Sequence, residues 1–177
     1  MKSLLGLIVV VGLLSLPLLA ADYPKAEVFG GYQYLRLNDV LGTGVGINAN
    51  GWDASLTGNV NQWLGVTGDF GGTYKSATGG DLHFYTYTGG PVINLNHSGV
   101  VNPFVHALFG GARLGGSASG VGSGGTNGFT MMYGGGVDVK MSRMLALRGQ
   151  VDWEYFRFSG LNFNKNVRVS TGIVLRF

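Results

Sequence analysis

Cysteine is absent from the chain, which removes disulfides, lipid attachment through an N-terminal cysteine and thiolate metal sites from consideration. Charge is scarce as well: charged residues make up 12% of the sequence, too few for the surface of a water-soluble enzyme. The net charge is only +3 and is scattered along the chain, which argues against a nucleic-acid partner. Of the histidines there are three, His83, His97 and His106, and none is grouped with carboxylates at metal-ligand spacing. No cofactor or metal is therefore expected. Beyond Leu19 no apolar run is long enough for a membrane helix. A mature chain embedded in lipid would then have to close its strands into a barrel, the other way of satisfying every backbone group there.

What is present supports that alternative. Met1-Lys2, the apolar run from Leu4 to Leu19 broken by Gly6, Gly12, Ser15 and Pro17, and the small residues Ala20-Ala21 before Asp22 read as a cleavable secretory signal peptide over residues 1–21. The cut falls beside Ala20 or Ala21. Its removal leaves 156 residues (22–177), one domain, with a net charge near +2 once Lys2 is gone. The 33 glycines and 12% aromatics of the sequence describe neither a soluble enzyme nor a disordered chain.

Strict two-residue alternation runs through the remainder. In Leu145–Phe158, Leu147, Val151 and Trp153 oppose Arg148, Gln150, Asp152 and Glu154. Asn50–Val60 sets Trp52 and Leu56 against Asp53 and Thr57, Leu64–Tyr74 sets Val66 and Phe70 against Thr67 and Asp69, and Phe129–Val139 ends on an inward Asp138. The final strand, Asn166–Phe177, alternates Val167, Val169, Ile173 and Leu175 with Arg168, Ser170 and Arg176. Ala26–Leu37, Leu82–Ile93 and Pro103–Leu114 are strands by composition, with Glu27 and Gln33 inward in the first and the faces of the other two open. That makes an eight-stranded antiparallel up-and-down transmembrane β-barrel, about 20 residues for each strand and its connection.

With both termini in the periplasm, Asn61–Trp63, Asn94–Asn102 and Met141–Met144 become periplasmic turns. Asn38–Asn48, Lys75–Gly80, Gly115–Asn127 and Ser159–Lys165 become external loops, the third a flexible linker by composition.

The last eight residues carry Ser170, Gly172, Leu175 and the terminal Phe177 in a pattern that resembles the C-terminal assembly signal of Gram-negative outer-membrane barrels. Together with the signal peptide and the Gly-aromatic segments Phe29-Gly30-Gly31-Tyr32-Gln33-Tyr34 and Pro103–Gly111, the chain resembles the outer-membrane β-barrel family of opacity-type proteins, small adhesin barrels and the N-terminal barrel of outer-membrane protein A. The resemblance implies a bacterial outer-membrane location, the barrel assembly machinery and outer-membrane lipids as partners, and a role ranging from anchor or adhesin to weak pore or enzyme.

The inward charges Glu27, Asp53, Asp69, Asp138, Arg148, Asp152, Glu154 and Arg168 form the first candidate site, a lumen network that either solvates a narrow channel or pairs into a plug. Register through the Met141–Met144 turn predicts an Asp138–Arg148 ion pair. The neighbouring Asp53 and Asp69 predict either an arginine such as Arg148 or Arg168 reaching across to them or one carboxylate with a raised pKa. The second candidate site is an external ring of Arg36, Lys75, Arg113, Arg157 and Lys165, suited to lipopolysaccharide phosphates. A lipid A esterase would need a serine beside a histidine at the lipid-facing external side, and no histidine is so placed; no catalytic residue is expected. The expected role is a structural anchor or surface-interaction protein, possible host or cell-surface ligands included, with a narrow diffusion pore as the alternative and lipid A modification a distant third.

Overall fold

The computed structural model describes residues 23–37, 46–77, 80–96, 99–118, 121–158 and 161–177, so the signal peptide, His97, Ser98 and most of Asn38–Asn48 lie outside the described residues. Eight strands follow in order: β1 (Ala26–Leu37), β2 (Ile47–Asn59), β3 (Leu64–Ala77), β4 (Gly80–Asn94), β5 (Val101–Ala118), β6 (Val121–Lys140), β7 (Leu145–Phe158) and β8 (Leu161–Arg176). Each pairs antiparallel with the next, and β8 returns to β1, closing the barrel without a free edge.

The alternation decides the faces. Along β7 every second residue from Ala146 to Phe158 is enclosed, while Leu147, Val151 and Trp153 are 40–49% exposed on the outer wall. Tyr32, Trp52, Phe70, Tyr133, Val169 and Ile173 share that wall. The molecule is therefore inverted relative to a globular domain, apolar outside and polar within, as a wall against lipid requires. The two strands of open facing now have one: β4 turns Phe84, Thr86, Thr88 and Val92 inward, and β5 turns Asn102, Phe104, Leu108 and Ala112 inward.

At the end carrying the termini, the β2–β3 and β6–β7 turns are short and locally hydrogen-bonded. The Asn61 side-chain oxygen accepts from the backbone N–H groups of Trp63 and Leu64, at 2.9 and 2.8 Å. Met141 N–H donates to the Leu145 carbonyl at 2.9 Å, fixing the β6–β7 register with Asp138 opposite Arg148. At the closing seam, Phe177 N–H donates to Ala26 and its carbonyl accepts from Lys25, at 2.9 and 2.7 Å. Gly31 stands opposite Gly172 in that seam, and a Cβ on either would run into the other strand's backbone, so both must be glycine for the strands to approach so closely.

At the opposite end the strands are longer than their side chains foretell. β3 and β4 pair out to Ala77 and Gly80, β5 and β6 to Ala118 and Val121, and β7 and β8 to Phe158 and Leu161. The expected loops Lys75–Gly80, Gly115–Asn127 and Ser159–Lys165 are thus mostly paired ribbon. Backbone hydrogen bonding does not need an apolar face once a hairpin has left the wall, and Gly115–Gly125 and Gly116–Gly124 pair without side chains. Lys75 and Lys165 stand in β3 and β8, not in loops.

Candidate functional site: a two-layer ion-pair network in the lumen

The inward charges gather into two layers. Nearest the termini, Arg148 holds both Asp138 oxygens, Nε to Oδ1 at 2.7 Å and Nη2 to Oδ2 at 2.8 Å, and reaches Glu27 at 3.2 Å. This is the predicted pair, in bidentate form. Arg176 meets the same two acids, Asp138 at 2.8 Å and Glu27 at 3.2 Å. The Arg148 guanidinium also lies over the Phe104 ring, 4.4 Å from its centroid, with Phe29 at 5.4 Å. Two arginines face two carboxylates here, so the layer is balanced.

The second layer, deeper in the barrel, converges on Arg168. Its guanidinium donates to Asp69 and Asp152, each at 2.8 Å, and lies 3.5 Å from Glu154 and 3.8 Å from Asp53. Its Nη2 also reaches the Met132 sulfur at 3.2 Å. Gln150 donates to Asp53 and Asp152, both at 3.3 Å, and His106 Nε2 sits 2.7 Å from the remaining Asp152 oxygen. Arg168 is 1% exposed and Asp152 fully enclosed. One arginine therefore answers four carboxylates, with His106 adding a cation only when protonated. The Glu154 oxygens accept no aligned hydrogen bond from the protein, which leaves that acid the least well satisfied of the set.

Strand parity explains which charges point inward; convergence comes from the stagger of the strands. Asp53 and Asp69 stand opposite Gly71 and Ser55 in the register and are therefore diagonal neighbours. Arg168 bridges them from β8, two and three strands away round the barrel, while Arg148 serves the other layer. All eight predicted lumen charges are in the network. Arg176, Gln150 and His106 join it unforeseen: Arg176 shares the inward parity of Arg168, which was the available signal, whereas the His106–Asp152 contact spans β5 and β7 and has no local signature.

The basic ring is only partly assembled. Arg36 and Arg157 are exposed at the far ends of β1 and β7, and Arg113 is exposed on β5 five residues short of its end at Ala118, all on the outward parity. Lys75 departs from them: it shares the inward parity of Asp69 and Thr73 and borders a partly open cavity. The side chain of Lys165 lies outside the described residues. Of the terminal motif, Ser170 is buried in the lumen, Gly172 lies in the seam, and Leu175 and Phe177 are exposed on the outer wall, at 44% and 39%.

No family model matches the chain, and no curated protein matches it. Solved structures do. Neisserial surface protein A (NspA) superposes with a TM-score of 0.74 at 13% identity, covering 86% of this chain and 97% of that one. Ail, the attachment invasion locus protein of Yersinia pestis, in complex with the heparin analogue sucrose octasulfate, gives 0.64 at 22% identity, covering 88% and 99%. The N-terminal barrel of Pseudomonas aeruginosa OprF gives 0.57 at 11%, covering 88% and 99%. The chain has the fold of the small eight-stranded outer-membrane β-barrels, the fold that its alternating segments and terminal motif imply.

Proposed function

We propose that this protein is an outer-membrane barrel of the Gram-negative type whose lumen is closed by its own side chains and whose work is done at the surface, as an anchor or surface-interaction platform. The signal peptide would direct it across the inner membrane, and the Ser170–Phe177 motif would engage the barrel assembly machinery. The observation that carries the closed-lumen reading is the pair of ion-pair layers, in which Arg168 reaches across the lumen from β8 to Asp69 on β3, while Arg148 and Arg176 tie together the inner faces of β6, β7, β8 and β1. An eight-stranded barrel has an interior just wide enough for side chains to fill. In planar bilayers the purified protein should show no steady conductance steps. Regular unitary steps would favour a narrow diffusion pore instead.

A non-enzymatic role is supported by His106, which is tied to Asp152 on the lumen side, whereas a lipid A-modifying esterase would need its histidine at a serine facing lipid. Unaltered lipid A by mass spectrometry, with and without the protein, is the expected result.

Outer-membrane lipid and lipopolysaccharide are the first surface partners we infer. Arg36 and Arg157 at the ends of β1 and β7, and Arg113 on β5, are exposed on the outer face, where guanidinium groups suit phosphate. The heparin analogue bound to Ail, itself a polyanion, is consistent with basic rims of this fold meeting anionic partners. Replacing all three arginines with Gln should weaken lipopolysaccharide binding and flatten its salt dependence, with the barrel still folded. Unchanged binding would leave them as ordinary rim charges.

A further inference from the structure

The far end of the lumen is built unlike the rest. One inward step beyond Gln33, Thr86 and Glu154, the lining of β1, β4 and β7 changes to Leu35, Phe84 and Phe156. The Phe84 and Phe156 rings meet edge to face with centroids 4.8 Å apart, and Phe158 completes the cluster. Beside these rings, Leu35, Ile47, Ala49 and the stem of Lys75 border a cavity of about 120 Å³ whose walls are almost wholly carbon. Close packing is the rule in protein interiors, and a void of this size forfeits contact energy that a larger side chain at position 49 would recover. Apolar cavities of about 150 Å³ stay dry and take up benzene, so this one is matched to a single ring or a chain of about six carbons. Eight-stranded barrels have room in the mouth for one small ligand.

Lys75 gives the chamber its polarity. It stands on the inward face at the lip and is exposed. The ion pairs among the described residues are made deeper in the barrel, by His106, Arg148, Arg168 and Arg176, and none by Lys75.

We propose that this chamber binds one small anionic amphiphile, a short-chain or monoaromatic carboxylate, with its apolar part among Leu35, Phe84 and Phe156 and its head at the Lys75 ammonium. The assignment does not depend on whether the lumen conducts.

Methyl-labelled protein in lipid nanodiscs, titrated with hexanoate, hexanol and hexylamine, tests it. Hexanoate should shift the Leu35, Ile47 and Ala49 methyl resonances saturably, while Leu56 and Val66, exposed on the outer wall, stay still. It should bind up to about fivefold tighter than hexanol, the upper end for an exposed ion pair, and hexylamine should bind weakest. Lys75→Met should abolish the preference for the acid and keep the binding of hexanol. Ala49→Phe should remove both. Because Ala49→Phe could compromise folding, magnetisation transfer from hexanoate protons to the Phe84 and Phe156 rings in the unaltered protein provides a second reading. Equal shifts at Leu56 and Val66, equal binding of the three probes, or no transfer to those rings at saturation would overturn the proposal.

Discussion

Replacing Arg168 with leucine should destabilise the folded barrel by about 3–5 kcal/mol, the range for removing one member of a buried charge cluster. The cost comes from what is left behind more than from what is lost. Asp53, Asp69, Asp152 and Glu154 all lie within ion-pair distance of this one guanidinium, and each is 3% exposed or less. Without it, four carboxylates must share an enclosed space, and leucine offers them no donor. Urea titration in bilayers, followed by tryptophan fluorescence, would measure the loss. No single neutralising partner should restore stability: Glu154→Gln added to Arg168→Leu removes one acid of four and should recover only part of it. A loss below about 1 kcal/mol would mean that the acids are already relieved by protons or water, and that Arg168 does not organise the layer.

How much of this was legible beforehand depends on what each residue reports. In β7 and β8 the parity was plain, because lipid-facing Leu147, Val151 and Val169 alternate with Arg148, Asp152 and Arg168. In β4 and β5 it was not, because the lumen there accepts Phe84, Val92, Phe104 and Leu108 while the outer wall takes Tyr85, Tyr87 and Phe109, leaving both faces apolar. The Asp138–Arg148 pair followed from one short turn, since a hairpin register is set locally. The second layer was out of reach in detail. Arg168 and Asp69 are 99 residues apart, and their meeting depends on strand stagger around the closed barrel, which alternation does not encode. The far ends are illegible for a related reason: glycine and serine carry no facing signal, so paired ribbon is indistinguishable from loop in the sequence, and Lys75 reads as a loop residue although its strand turns it inward.

The two layers also differ in how they should respond to repair, and this is the sharper test of the geometry. Arg148→Leu breaks the bidentate contact with Asp138 and the reach to Glu27, but Arg176 still touches both acids, so the residual imbalance is a single charge. The expected loss is about 3 kcal/mol, the lower end for a broken buried pair, with part of it due to the packing of the guanidinium on Phe104. Adding Asp138→Leu leaves Glu27 facing Arg176 alone, a balanced pair, and exchanges two buried charges for apolar side chains. Such replacements are often neutral or stabilising, so the double variant should recover most of the single variant's loss. A balanced layer is thus repaired by one compensating substitution, and the acid-rich layer around Arg168 is not. If the Arg148→Leu, Asp138→Leu double variant were less stable in the same urea titration than Arg148→Leu, the four groups would not form the closed balanced set that their distances describe.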